Sequence, residues 1–336
     1  MPAPASEVRF SFGRSVFFSA LIVSAVFLLA EGALRVVGVG RPIRPRLLLR
    51  AMDVDIQFPF MQPDPALFWA PRPGWRGEFL GHSVTINRLG LRGPEPSAGR
   101  GRTRRLVTFG DSITFGYGVG DADTYAHQAG ALLAPRGVEA VNAGVTGYTS
   151  HQVLGLLRRV SPELGIDVAT FCVGWNDGTQ RVVDDREFAR RLALSMAVEG
   201  WADRLYLYRL MKKAYLRAAL AEATPQTRKP RVGLAQYREN LEAIVRECRR
   251  RGIRPVFIAL PRRRQGEPRF HSPYMDAMKE LGQGLGVPVL GAGVLGVETS
   301  PEDNAPHFID LLHFSASGHR ILAEEIARQL VERGIL

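Results

Sequence analysis

From Arg104 to the end of the chain, short apolar runs alternate with amphipathic stretches of helical length, and few folds accommodate that alternation. Arg105–Phe109, Val138–Asn142, Asp167–Val173, Arg254–Leu260 and Val287–Leu290 read as strands. Thr124–Ala134, Ser150–Val160, Gly233–Arg251, Pro273–Leu285 and Ser317–Arg333 read as helices. Strands separated in this way by helices call for a parallel sheet covered on both faces. We therefore expect an α/β fold with about five parallel strands. In such sheets ligands bind outside the carboxyl ends of the strands. Gly110-Asp111-Ser112, Gly144 and Asn176 each stand just past such an end.

The rest of the chain divides by composition. After a tail over 1–14, the stretch Ser15–Ala30 carries no charge, and an anchor over 15–37 is long enough to span if Glu31 and Arg35 lie near the interface. A cleaved signal peptide and a soluble core helix are the rival readings. Residues 38–103 are rich in Pro, Gly and Arg, with aromatic anchors Phe58, Phe60, Phe68, Trp69 and Trp75, and read as an irregular, partly β lead-in. The main domain then covers 104–336, with a helical insertion over 178–232. Arg186–Ala197 and Trp201–Ala221 are the helices of that insertion. The aromatic and leucine face of the second reads as packing, with a lid or a membrane-lying surface as alternatives.

Net charge is +11, yet all but four of the 44 basic residues are Arg, spread along the chain. No zinc finger, RNP or helix-turn-helix pattern accompanies that charge, so nucleic acid is not expected as a partner and an anionic membrane surface is. Cys172 and Cys248 form neither a disulfide framework nor a metal-ligand pattern, and no HExxH occurs.

Two widely separated motifs carry the chemistry. Leu106-Val107-Thr108-Phe109 runs into Gly110-Asp111-Ser112-Ile113-Thr114, and far downstream stands Asp310-Leu311-Leu312-His313. A serine hydroxyl is a poor nucleophile until a base takes its proton, and a carboxylate that fixes the tautomer improves the base. A carboxylate three residues before a histidine can point both side chains at one spot. Thr114 stands where the nucleophile elbow of the ordinary α/β-hydrolases has its second glycine, which disfavours that family.

With Asn142-Ala143-Gly144 and Gly174-Trp175-Asn176-Asp177 between them, these blocks resemble, in order, those of the SGNH (GDSL) esterases and acyl hydrolases. The resemblance covers roughly 104–333 and implies a three-layer, flavodoxin-like domain, with no cofactor and no metal. It implies Ser112 as nucleophile, His313 as general base and Asp310 as its orienting carboxylate. It also implies an oxyanion hole from the N–H groups of Ser112 and Gly144 and the side-chain amide of Asn176. Asp111 and Asp177 are expected to brace turns and helix starts, and His319 to be structural.

Asp64-Pro65, Trp69 and Asn87-Arg88-Leu89-Gly90-Leu91-Arg92-Gly93 are similar to the lead-in of membrane-tethered bacterial members. That likeness implies an extracytoplasmic catalytic domain. The excess of arginines after the apolar segment (Arg35, Arg41, Arg44, Arg46, Arg50) points the other way by the positive-inside rule. The expected activity is hydrolysis of O-acetyl or other short acyl esters on carbohydrate, or of lipid esters. An acyltransferase acting on an envelope glycan and a non-catalytic polysaccharide-binding module are the alternatives.

Overall fold

The computed structural model describes residues 12–38, 58–99, 101, 103–190, 192, 202, 204–221, 228–260, 262–264, 267–270, 272–291, 305–310 and 312–336. Most of the N-terminal tail, the arginines at 41–50, much of the first insertion helix, and Trp201 lie outside the described residues.

Helix α1 (Phe12–Val37) precedes two antiparallel hairpins, β1 (Met61–Asp64) with β2 (Phe68–Pro71) and β3 (Arg76–Phe79) with β4 (His82–Thr85). Next come β5 (Arg104–Gly110), the one-turn helix α2 (Ser112–Phe115), α3 (Tyr125–Leu133), β6 (Val138–Gly144), α4 (Ser150–Leu164) and β7 (Val168–Cys172). The two-residue strands β8 (Gln180–Arg181) and β9 (Lys229–Pro230) pair across the insertion and enclose α5 (Tyr206–Ala221). The chain continues through α6 (Leu234–Arg250), β10 (Arg254–Ala259), the hairpin β11 (Arg262–Arg264) with β12 (Glu267–Phe270), α7 (Pro273–Leu285), β13 (Val289–Gly291) and α8 (Ala316–Glu332).

Five of these strands make one parallel sheet in the order β6-β5-β7-β10-β13. In chain order this is 2-1-3-4-5, the flavodoxin-like arrangement, whose switch point lies between β5 and β7. Alternate residues of each strand feed opposite cores. Val107, Phe109, Ala169, Phe171 and Phe257 pack with α4, α6 and α7, whereas Leu106, Val168, Val256 and Ile258 pack with α3 and α8. Each strand is thus apolar on both faces, which is why it reads as a continuous apolar run.

The lead-in from Phe58 onward shares the first of these cores. Phe60, fully buried, stacks on Phe115 of α2 at 5.0 Å between ring centroids, while Phe58 and Phe79 meet Tyr117 edge-on at 6.2 and 5.6 Å. The Arg92 N–H donates to the Asn142 carbonyl at 3.1 Å, covering the outer edge of β6. Helix α1 is the only helix among the described residues that is long and apolar enough to cross a membrane, with a mean hydropathy of 2.1 and 6% of that span buried. The low burial removes the core-helix reading.

Phe60 is the centre of the contact between lead-in and nucleophile helix. Phe60→Ala is expected to cost about 3–5 kcal/mol of stability, as large-to-small changes at buried aromatics do. Denaturant unfolding monitored by circular dichroism measures it, and a loss under 1 kcal/mol (roughly an exposed-site effect) would show that the lead-in is not part of the core.

Candidate active site

Strand β5 ends at Gly110 on the sheet's carboxyl edge, and the chain turns at once into α2. Asp111 caps that helix, its side chain accepting from the Ile113 N–H at 3.0 Å, so Ser112 becomes the first helical residue. Asp111 thus braces the turn, as expected. Far along the chain, the Asp310 carboxylate accepts from the N–H groups of Leu312 and His313, both at 2.7 Å, and so closes the loop before α8. The two motifs meet there. His313 Nε2 lies 2.9 Å from Ser112 Oγ, and His313 Nδ1 lies 2.7 Å from Asp310 Oδ2. Burial raises the Asp310 carboxyl pKa, but the hydrogen bonds from the His313 ring and the two N–H groups outweigh it and hold the group below its usual range. Asp310 therefore stays ionised and fits the role of partner to an imidazole that gains a proton. Tyr117 covers the His313 ring at 4.4 Å between centroids.

Asn176, just past β7, donates from Nδ2 to the Tyr148 carbonyl at 3.1 Å and to Asp111 Oδ2 at 3.4 Å. Its amide thus lies between the turn that carries Ser112 and the turn after β6. Asp177 beside it is fully buried and accepts from the Ser150 N–H at 3.0 Å, at the start of α4. Burial pushes its carboxyl up to about 7, with the bonds from Ser150 opposing, Asp185 adding to the rise and Arg231 reducing it. His319 is buried, accepts from the Tyr125 N–H at Nδ1, and is pushed down to about 3 by burial, so it stays neutral. It packs in the core behind α3 against the rings of Tyr125 and Phe314.

Gly144, expected to give its N–H to an oxyanion hole, stands at the end of β6. Its N–H donates to Asn142 Oδ1 at 2.9 Å. A Cβ there would stand 2.2 Å from the Phe115 backbone nitrogen, so the glycine is needed for the close approach of β6 to α2. Gly147, three residues on, was not singled out from the sequence. It holds φ +80° in the turn beyond β6, and its N–H has no acceptor among the described residues. Every carbonyl around it is taken. Thr146 accepts from Trp69 Nε1 at 3.0 Å, Gly147 from Arg231 at 2.7 Å, and Tyr148 from Asn176. A glycine in a strand-to-helix turn, Val145-Thr146-Gly147-Tyr148-Thr149, was the available signal.

Arg92 was the second omission. Its guanidinium is buried and forks onto α2 and the loop after it. Nη1 donates to the Phe115 and Gly116 carbonyls and Nη2 to the Val119 carbonyl, each at 2.6 Å, while Nε pairs with Asp121 at 2.9 Å. Phe115 lies under it at 4.5 Å. The lead-in therefore reaches into the mount of Ser112.

A serine, a histidine and an aspartate hydrogen-bonded in series at the carboxyl edge of a parallel sheet form the arrangement of a serine hydrolase. The chain belongs to the GDSL-like lipase/acylhydrolase family, whose match runs over residues 108–321, and is an enzyme that acts on ester bonds. No curated protein matches it. Among solved structures it is similar to a lipase/acylhydrolase from Enterococcus faecalis, at 21% identity over 69% of this chain and 97% of that one, with a TM-score of 0.43. It is also similar to an acetyl xylan esterase from Geobacillus stearothermophilus, at 17% identity over 68% and 94% of the two chains, with a TM-score of 0.43. A lipolytic protein of the G-D-S-L family from Desulfitobacterium hafniense matches at 16% identity over 67% and 99%, with a TM-score of 0.41.

Arg92→Lys keeps the charge and loses the planar fork. It is expected to lower kcat for ester hydrolysis by about 10–100-fold with KM little changed, because small displacements of a reacting group cost that much. Steady-state kinetics on folded variant measure the effect, and an unchanged kcat would remove Arg92 from the nucleophile's mount.

Asp177 gives a pH dependence of stability. Between about pH 4 and pH 7 the carboxyl is protonated when folded and ionised when unfolded, so folding takes up a proton and stability rises as pH falls through that window. Relative to Asp177→Asn, the protein is expected to gain stability from about pH 8 to about pH 5 in denaturant unfolding. Parallel pH profiles would show that Asp177 stays ionised.

Proposed function

We propose that this enzyme is a serine esterase that cleaves O-acetyl or other short acyl esters through an acyl-enzyme on Ser112. The observation that carries the reading is the unbroken hydrogen-bonded series Ser112–His313–Asp310, at 2.9 and 2.7 Å. In the first half-reaction His313 Nε2 takes the Ser112 proton as Oγ bonds to the ester carbonyl carbon. Collapse of the tetrahedral intermediate breaks the bond to the alcohol oxygen, and His313 returns its proton to the departing alcohol. In the second half, water loses a proton to His313 and attacks the acyl-serine; the bond from the acyl carbon to Ser112 Oγ breaks, His313 returns the proton to Oγ, and the acid leaves.

The negative oxygen of each intermediate would be held by the N–H groups of Ser112 and Gly147 and by Asn176 Nδ2. Two features support this set. The Gly147 N–H has no acceptor among the described residues, in the turn whose next carbonyl holds Asn176. The Asn176 amide carries no titrating charge, and its bond to Asp111 Oδ2 is long at 3.4 Å, so that N–H is the one to turn to the oxyanion. Losing one such donor typically costs about 10²–10³-fold in rate. Ser112 is 6% exposed and His313 lies under Tyr117, a narrow approach that suits a small acyl group.

We read α1 as a retained membrane anchor rather than a cleaved leader. Glu31 and Arg35, near its end, hydrogen-bond to Tyr206, Leu207 and Arg204 of the folded insertion, contacts that a cleaved leader would not need. The lead-in's likeness to tethered envelope proteins supports an extracytoplasmic catalytic domain.

Hydrolysis of p-nitrophenyl esters from acetyl to palmitoyl tests the proposal. Activity is expected to be highest on short chains and to fall by at least about 10³-fold in Ser112→Ala. A long-chain optimum would redirect the substrate class to lipids. Full activity in Ser112→Ala would contradict the mechanism. With a glycan acceptor present, a transfer product with little free acid would favour acyl transfer.

A further inference from the structure

We infer that α5 lies on the membrane surface, docked to anionic phospholipid headgroups and tied to the anchor by Glu31. The inference rests on the anchor reading of α1.

The uncharged stretch Ser15–Ala30 rises only about 24 Å as a helix, short of the ~30 Å hydrocarbon core. Glu31 directly follows it and therefore stands at the edge of the hydrocarbon. A carboxylate at that depth is costly unless its oxygens are satisfied. Its donors come from Arg35 Nε at 2.8 Å and from the first two backbone N–H groups of α5, Tyr206 and Leu207, both at 3.0 Å. Arg35 also donates to the Arg204 carbonyl at 3.1 Å and lies over the Tyr206 ring at 5.6 Å. The N-terminus of α5 is thereby fixed at the depth of the membrane boundary.

The composition of α5 fits that position. Within Tyr206–Ala221 there is no acidic residue, Asp203 and Glu222 standing just outside it, while Arg209, Lys212 and Lys213 are basic. Lys212 and Lys213 are two of only four lysines in the chain. Leu210 and Met211 are 37% and 65% exposed beside them. Arg209 lies over Tyr206 at 4.9 Å and Lys212 over Tyr208 at 5.9 Å, so the ring bodies and the cationic tips are arranged as in an interfacial helix. Basic side chains at a membrane boundary match anionic headgroups in sign.

The docking bears on the reaction. The insertion returns through β8 and β9 to Arg231, which donates to the Gly147 carbonyl, and to Val232, whose N–H donates to the Asp177 carbonyl at 3.0 Å. The helix on the membrane is thus joined at its base to the turns around Gly147 and Asn176.

The test uses the full chain in vesicles, with the environment-sensitive dye NBD at Met211→Cys. The native Cys172 and Cys248 are buried. A companion label at Val23→Cys reports insertion of α1. In phosphatidylcholine vesicles with roughly one-third phosphatidylglycerol, the dye at 211 is expected to shift to the blue and to be quenched by a headgroup-level nitroxide lipid. In pure phosphatidylcholine, and in Arg209→Gln/Lys212→Gln/Lys213→Gln, the bound-to-free ratio should fall by about fivefold per charge removed. A dye at 211 that stays aqueous while the dye at 23 is quenched by a deep nitroxide overturns the docking and leaves the anchor. Quenching at 211 that ignores lipid charge overturns the anionic-headgroup assignment. An aqueous dye at 23 overturns the anchor, and the docking with it.

Discussion

A four-residue helix cannot satisfy its own ends, and Ser112 stands on one. Its donors and acceptors must be met from outside, and the position of the nucleophile depends on how they are met. Asp111 caps the first turn, and Gly116 closes the last in the left-handed region with φ +86°. Asn142 Nδ2 holds the Thr114 carbonyl at 2.8 Å, while the Arg92 fork holds those of Phe115 and Gly116. Each partner comes from a different part of the chain: the turn itself, the neighbouring strand, and the lead-in. Ser112 is held by this convergence, and only then does the loop before α8 bring His313 to it.

The sheet was legible in the sequence because its strands are apolar on both faces and its helices are not. Every strand expected from Arg104 onward is present within two residues at either end, and Pro273–Leu285 is a helix over those same residues. Ser112, His313, Asp310 and Asn176 were legible because each stands just past a strand or just before a helix, in chemistry-bearing blocks. Gly144 and Gly147 were not separable in the sequence for a physical reason. In a strand-to-helix turn two glycines stand three residues apart, and one is small for packing while the other is free for its N–H. Sequence spacing does not separate those needs, and hydrogen-bond accounting does. Arg92 was visible in a motif, yet nothing local says that a guanidinium reaches three carbonyls after the nucleophile.

The membrane-facing part of the chain follows a different logic. Its recognisable feature is α1, a helix exposed along almost all its length, and the contact it makes runs through a single carboxylate. Glu31 would be a defect in an isolated spanning helix, but with α5 on it the carboxylate accepts from the N–H groups of Tyr206 and Leu207.

The central claim is that Ser112 is made nucleophilic by His313. The direct measurement is the rate at which a fluorophosphonate forms an adduct, followed by intact mass and located by peptide mapping. The account requires a single adduct on Ser112, formed more slowly by on the order of 10³-fold in folded His313→Ala. An adduct on another residue, or an unchanged rate without the imidazole, would contradict it.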